Sequence, residues 1–108
     1  MTTLLNDDLA SGSNDKTIKI WNVNDGSLKR TLAGHTGDIY ALKILQNWDI
    51  ASGSSDNMIK IWNPNDGTLK RTLIGHTFYI YGLTTLQNGD LASGSADDTI
   101  NIWSMKSN

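Results

Sequence analysis

A five-residue pattern, Ser-Gly-Ser-x-Asp, occurs three times in this chain at one fixed spacing. The copies are Ser11-Gly12-Ser13-Asn14-Asp15, Ser52-Gly53-Ser54-Ser55-Asp56 and Ser93-Gly94-Ser95-Ala96-Asp97. An Ile-Trp pair follows each, at Trp21, Trp62 and Trp103, and Gly34-His35 and Gly75-His76 keep the same period. Residues 22–62 overlie residues 63–103 without a gap and agree at 27 of 41 positions. Residues 1–21 match the last part of that unit. A period of this length predicts a stacked-repeat fold, in which each unit leaves apolar faces for its neighbours to cover.

Each full unit carries four short β-like runs. They are predicted at Leu28 to Leu32, Ile39 to Leu45, Ile50 to Ser54 and Ile59 to Trp62. Their copies fall at 69–73, 80–86, 91–95 and 100–103, with partial copies at 9–13 and 18–21. Ile18 and Ile20 flank Lys19, the period-2 alternation of a half-buried strand. Turn formers separate the runs: Asn24-Asp25-Gly26, Asn65-Asp66-Gly67 and Asn88-Gly89-Asp90. All 11 acidic residues are Asp, which suits turns better than helices. The expected class is all-β.

Four strands per unit, with Gly-His, Ser-x-Asp and Trp at these places, closely resemble the WD40 repeat of β-propellers. The family often closes its unit with Trp-Asp; here Trp21 and Trp62 precede Asn, and Trp103 precedes Ser104. The resemblance implies a propeller segment of three blades, the last lacking its outermost strand. It spans residues 1–108 as one domain with repeats 1–21 (partial), 22–62 and 63–103, and a tail at 104–108. Three blades do not close a ring, because closed propellers have about 4–8. The favoured expectation is a segment of a larger propeller. The alternative is a self-assembling subunit that completes a ring with other copies.

By the same resemblance His35, Ser52, Asp56 and Trp62 form a structural tetrad in one blade, and His76, Ser93, Asp97 and Trp103 form it in the next. The first unit keeps Ser11, Asp15 and Trp21. Ser, His and Asp are also the parts of a hydrolase triad, but a nucleophile needs exposure and a nearby oxyanion hole. A set repeated in every unit is better explained by architecture.

Other chemistry is poorly supported. The chain has no Cys, so disulfides and thiolate metal sites are excluded. Its two histidines, His35 and His76, hold the same place in successive units, without a third ligand at suitable spacing. Asn22-x-Asn24-Asp25-Gly26 shares the start of a calcium loop, yet the chain has no Glu to complete an EF-hand. A net charge of −2 gives no reason to expect nucleic acid. Lys29-Arg30 and Lys70-Arg71 read as a solvated or edge-protecting face. No signal peptide or membrane-length apolar run is visible, so no membrane partner is expected and a cytoplasmic setting is the default.

Binding is expected on loops. The resemblance places Asp38, Tyr40, Tyr79 and Tyr81 on the top face of the propeller, with Asn14, Ser55 and Ala96 beside them. The segment after the second Gly-His replaces Gly37-Asp38 by Phe78-Tyr79, and exposed aromatics are common hot spots. Trp48 sits in a tight turn where the next copy has Gly89, and is expected to be exposed on the opposite face. The expected function is a non-enzymatic protein-interaction scaffold without cofactors. The alternatives are self-assembly or, less favoured, an enzyme or small-ligand binder using the central channel.

Overall fold

The computed structural model describes residues 2–3, 8–12 and 15–105. Among the described residues, eleven strands form three antiparallel sheets. The first contains β1 (Thr2–Thr3), β2 (Leu9–Gly12), β3 (Thr17–Trp21) and β4 (Leu28–Ala33). The second contains β5 (Ile39–Ile44), β6 (Ile50–Ser54), β7 (Met58–Trp62) and β8 (Leu69–Ile74). The third contains β9 (Ile80–Thr85), β10 (Leu91–Ser95) and β11 (Ile100–Trp103). Each sheet is a meander in sequence order, so every blade is built from consecutive hairpins. The described strands match the expected runs closely at each end, and the all-β class holds. The sheets do not close a ring.

The turns explain the hairpins. In the turns before β4 and β8, Gly26 and Gly67 take φ of 74° and 77°, and each donates its N–H to the carbonyl of Asn22 or Asn63. Between β5 and β6 the left-handed position is held by Trp48, at φ 70°; Gly89 holds it between β9 and β10, at 88°. A residue with a Cβ is strained there, whereas glycine is not.

The apolar core lies between the sheets. Ala10, Ile18, Ile20 and Leu32 of the first sheet pack against Ile39, Ile50 and Trp62 of the second. One repeat later, Ala51, Ile59, Ile61 and Leu73 of the second sheet pack against Ile80 and Leu91 of the third, with Trp103 beside them. The isoleucines of β3 and β7 therefore point at the next blade, and the period-2 alternation predicted that face. A strand bulge recurs as well. Ile39 pairs with Ser54 and Ala41 with Gly53, so Tyr40 is the extra residue; Tyr81 is the extra residue between Ile80 and Gly82.

Candidate functional site

Two polar networks with the same wiring join the Gly-His loops to the β6–β7 and β10–β11 hairpins. In the second sheet, His35 Nδ1 lies 2.8 Å from Asp56 Oδ2 and Nε2 lies 2.6 Å from Ser52 Oγ. Trp62 Nε1–H donates to the same hydroxyl at 2.8 Å. In the third sheet the distances are 3.0, 2.7 and 2.8 Å for His76–Asp97, His76–Ser93 and Trp103–Ser93. In the first sheet Trp21 Nε1–H donates to Ser11 Oγ at 2.9 Å, while Asp15 bonds Thr17 and Lys19.

Trp62 donates to Ser52 Oγ, whose own hydrogen can go to His35 Nε2 at 2.6 Å or to the Lys60 carbonyl at 3.4 Å. We assign it to the shorter contact, which leaves His35 Nδ1–H to donate to Asp56. The imidazole is then neutral. Burial lowers the His35 pKa from its ordinary 6.5, with Asp56 opposing that shift. Burial pushes the Asp56 carboxyl up, but N–H donors at Thr36 and Met58, with His35, outweigh it and hold the group low. The third network adds Thr99, whose hydroxyl donates to Asp97 Oδ1. With the Thr77 N–H, it holds the Asp97 carboxyl well below the usual carboxylate range.

Glycine precedes each histidine for a steric reason. A Cβ on Gly34 would come within 2.9 Å of the Trp62 ring, so the indole and the loop could not pack as they do. Ser52 and Ser93 are buried, and every polar atom in the two networks has a partner. Such a hydroxyl has no route to a substrate, so the arrangement can lock a loop to a hairpin but cannot perform hydrolysis. Among the described residues no group of three His, Cys, Asp or Glu could hold a metal ion. No helix among them is long and apolar enough to cross a membrane.

The aromatic residues meet at the junction of the second and third sheets. Tyr79 touches three other rings, with centroids 5.4 Å from Tyr40, 4.9 Å from Phe78 and 6.5 Å from Tyr81. All three pairs are steeply inclined, at 76°, 74° and 64°. Tyr40, Phe78 and Tyr81 are 50%, 54% and 59% exposed, and Tyr79 is half-buried beneath them. Asp38 precedes Tyr40 by two residues, and its N–H donates to Ser55 Oγ at 2.8 Å. Asn14 lies outside the described residues.

A Cβ on Gly37 would fall 2.2 Å from Ser55 Oγ and 2.7 Å from the Asp56 backbone nitrogen, so loss of the hydroxyl alone makes no room for a side chain there. In the next copy Ala96 removes that hydroxyl and Phe78 takes the place of Gly37. There Ser95 Oγ bonds the carbonyls of Phe78 and Tyr79 instead.

Sequence reasoning missed a second set of contacts. Lys29 Nζ bonds Asp8 Oδ2 at 2.7 Å, and Lys70 Nζ bonds Asp49 Oδ2 at 2.6 Å. Asp8 and Asp49 are buried. Arg30 donates to the Pro64 and Asn65 carbonyls, and Arg71 to the Ser104 carbonyl. These basic residues pin the outer strands β4 and β8 rather than forming only a solvated face. The signal was available, because Asp8, Asp49 and Asp90 recur with the same period as the Ser-Gly-Ser pattern. Trp48 is exposed in its turn.

A family model described as "WD domain, G-beta repeat" matches residues 3–22, 26–63 and 67–104. The chain is 42% identical over 40 residues to F-box/WD repeat-containing protein sel-10 of Caenorhabditis elegans, covering 37% of this chain and 7% of that protein. It is 54% identical over 39 residues to the pre-mRNA-splicing factor PRP46 of Candida glabrata, covering 36% of this chain and 9% of that protein. Among solved structures, the WD40 β-propeller domain of Doa1 superposes with a TM-score of 0.87 at 33% identity. That match covers 92% of this chain and 33% of the solved one. The chain thus spans a third of that propeller and less than a tenth of these relatives.

Proposed function

This chain belongs to the WD40 repeat family, and from that premise we propose that it is a non-enzymatic protein-interaction scaffold whose contact surface is the Tyr40–Phe78–Tyr79–Tyr81 cluster. The observation that carries the surface is the exposure of three rings that are clasped by a fourth. Aromatic side chains held rigid by one another lose little entropy on binding and are enriched in interface hot spots. Asp38 and Ser55 form the polar border of this surface. The tetrads at His35, Ser52, Asp56 and Trp62 and at His76, Ser93, Asp97 and Trp103 are its structural support, because they anchor the loops that carry the rings. In the first blade Ser11 and Trp21 keep the corresponding bond, and Asp15 braces its own hairpin through Thr17 and Lys19. The domain is read as one unit with repeats at 1–21, 22–62 and 63–103. A cytoplasmic setting goes with this reading, and fractionation of cells expressing a tagged chain tests it.

A photo-crosslinking side chain placed at Phe78, and separately at Trp48 as a control, tests the surface. The Phe78 position should yield a protein adduct. With that partner purified, Tyr79→Ala should weaken binding by about 2 kcal/mol, roughly thirtyfold, with the β-sheet spectrum unchanged. Adducts formed only from the Trp48 position would sink the proposal.

A second reading has its own observation. Ile100 and Ile102 are 75% and 58% exposed, although their copies Ile59 and Ile61 are covered by the third sheet. This face accepts a further blade, either from a longer polypeptide or from another copy of the chain. Sedimentation across a concentration series separates the two: association supports copies, and a monomer mass supports a longer polypeptide.

A further inference from the structure

We propose that the aromatic cluster recognises a cationic side chain, a lysine or arginine in an extended segment of a protein partner. The inference rests on the scaffold reading and adds the chemistry of the ligand.

Three features point to a cation. The first is ring geometry. The steep inclination of Tyr79 to its three neighbours leaves the rings unstacked, and Tyr40, Phe78 and Tyr81 keep half or more of their surface open to solvent. An aromatic face carries negative quadrupolar charge and attracts an ammonium or guanidinium group within about 6 Å of its centroid. The second is position. Tyr40 and Tyr81 are each the extra residue of a strand bulge, and bulges re-aim side chains out of the ladder. The same device repeated in two blades brings both tyrosines to the same ring group. The third is charge. Asp38 lies two residues before Tyr40, is half-buried, and forms no salt bridge among the described residues. By contrast Asp8 and Asp49 each hold a lysine. A carboxylate without a salt-bridge partner, two residues from one of the four rings, complements a cation and opposes an anion.

The basic side chains of the outer strands are engaged elsewhere: Lys29 and Lys70 are committed to Asp8 and Asp49, and Arg30 and Arg71 to backbone carbonyls. An apolar segment would also cover the rings, but it would leave the Asp38 carboxylate to be desolvated without compensation. The test therefore compares charge at constant shape.

The probes are two capped peptides, Gly-Ser-Lys-Ser-Gly and the same peptide with norleucine in place of lysine. Each is titrated into the full 108-residue chain and followed by backbone amide NMR, which also reports folding. The lysine peptide should bind about two- to thirtyfold more tightly than its norleucine counterpart, the range of one cation–π contact. Shifts should centre on residues 38–40 and 78–81. Tyr81→Leu keeps an apolar side chain at an exposed position but removes one ring, so it should shrink the preference; Asp38→Asn should shrink it further. Equal binding of the two peptides that is lost in Tyr79→Ala would overturn the cation inference and leave the aromatic docking surface standing. A lysine preference that survives both Tyr79→Ala and Tyr81→Leu would overturn both. Failure of the lysine peptide to bind at millimolar concentration would overturn the inference.

Discussion

The second and third blades carry nearly the same sequence, and their polar networks almost coincide. The three contacts measure 2.8, 2.6 and 2.8 Å in one and 3.0, 2.7 and 2.8 Å in the other. Their apolar faces differ sharply. Ile59 and Ile61 are 0% and 3% exposed, while Ile100 and Ile102 are 75% and 58% exposed. Trp62 is buried and Trp103 half-buried. A hydrogen-bonded loop and hairpin close within one unit, so each unit carries everything its network needs. Burial belongs to the gap between units and depends on what stands on the other side.

The sharpest way to break this comparison is to shorten the same side chain in both blades. Ile59→Ala should cost about 2–5 kcal/mol, because it opens a cavity between the second and third sheets. Ile100→Ala should change stability by only about 0.5 kcal/mol or less, since its side chain is mostly in water. Urea midpoints of the two variants check this. Equal losses would mean that the β11 face is covered in solution, by another copy of the chain.

The networks come next in size. His35→Ala and Asp56→Ala should each cost roughly 1–3 kcal/mol by stranding buried partners. The double variant should lose less than the sum, because the two side chains share one network. Additive losses would remove the network as a unit.

Acid should act in the same direction. The His35 pKa is depressed below 6.5, so between that folded value and 6.5 the unfolded chain binds more protons. This contribution is complete above 6.5 and is lost as pH falls through the lowered folded value. Asp56 is also depressed, so a second loss follows as pH drops below 3.8 and through its own folded value. The urea midpoint should therefore fall as the pH is taken from neutral to mildly acid, and His35→Gln should flatten that fall. A midpoint that rises on acidification would reverse the assignment of a neutral His35.

The smallest effect concerns the two turns. Trp48 bears a left-handed φ that Gly89 adopts freely in the next blade. Trp48→Gly should raise stability by up to about 1 kcal/mol, a balance between relieved strain and the greater freedom of the unfolded chain. A loss of stability would show that the exposed indole makes a contact worth more than the strain.

Much of this protein was legible in the sequence. The fixed repeat predicted stacked units, and Gly-His and Trp at constant offsets carried the resemblance that implied blades, because every blade repeats the same local solution. The alternation of Ile18, Lys19 and Ile20 predicted which face is apolar, since successive strand side chains point opposite ways. The Lys29–Asp8 and Lys70–Asp49 pairs went unread because each joins an outer strand to a distant turn that only the sheet order brings beside it.

Composition and periodicity thus determined the strands and the turns, and the resemblance to the WD40 repeat implied which residues interlock, all of which depend on chain-local geometry. Only the tertiary structure decided that Tyr40 reaches the ring of Tyr79 from a different blade. It also decided that Gly37 lies too close to Ser55 Oγ and the Asp56 backbone nitrogen to carry a side chain. The reason is physical: contacts across a blade junction depend on how two sheets are set against each other, and exposure depends on whether a third is there.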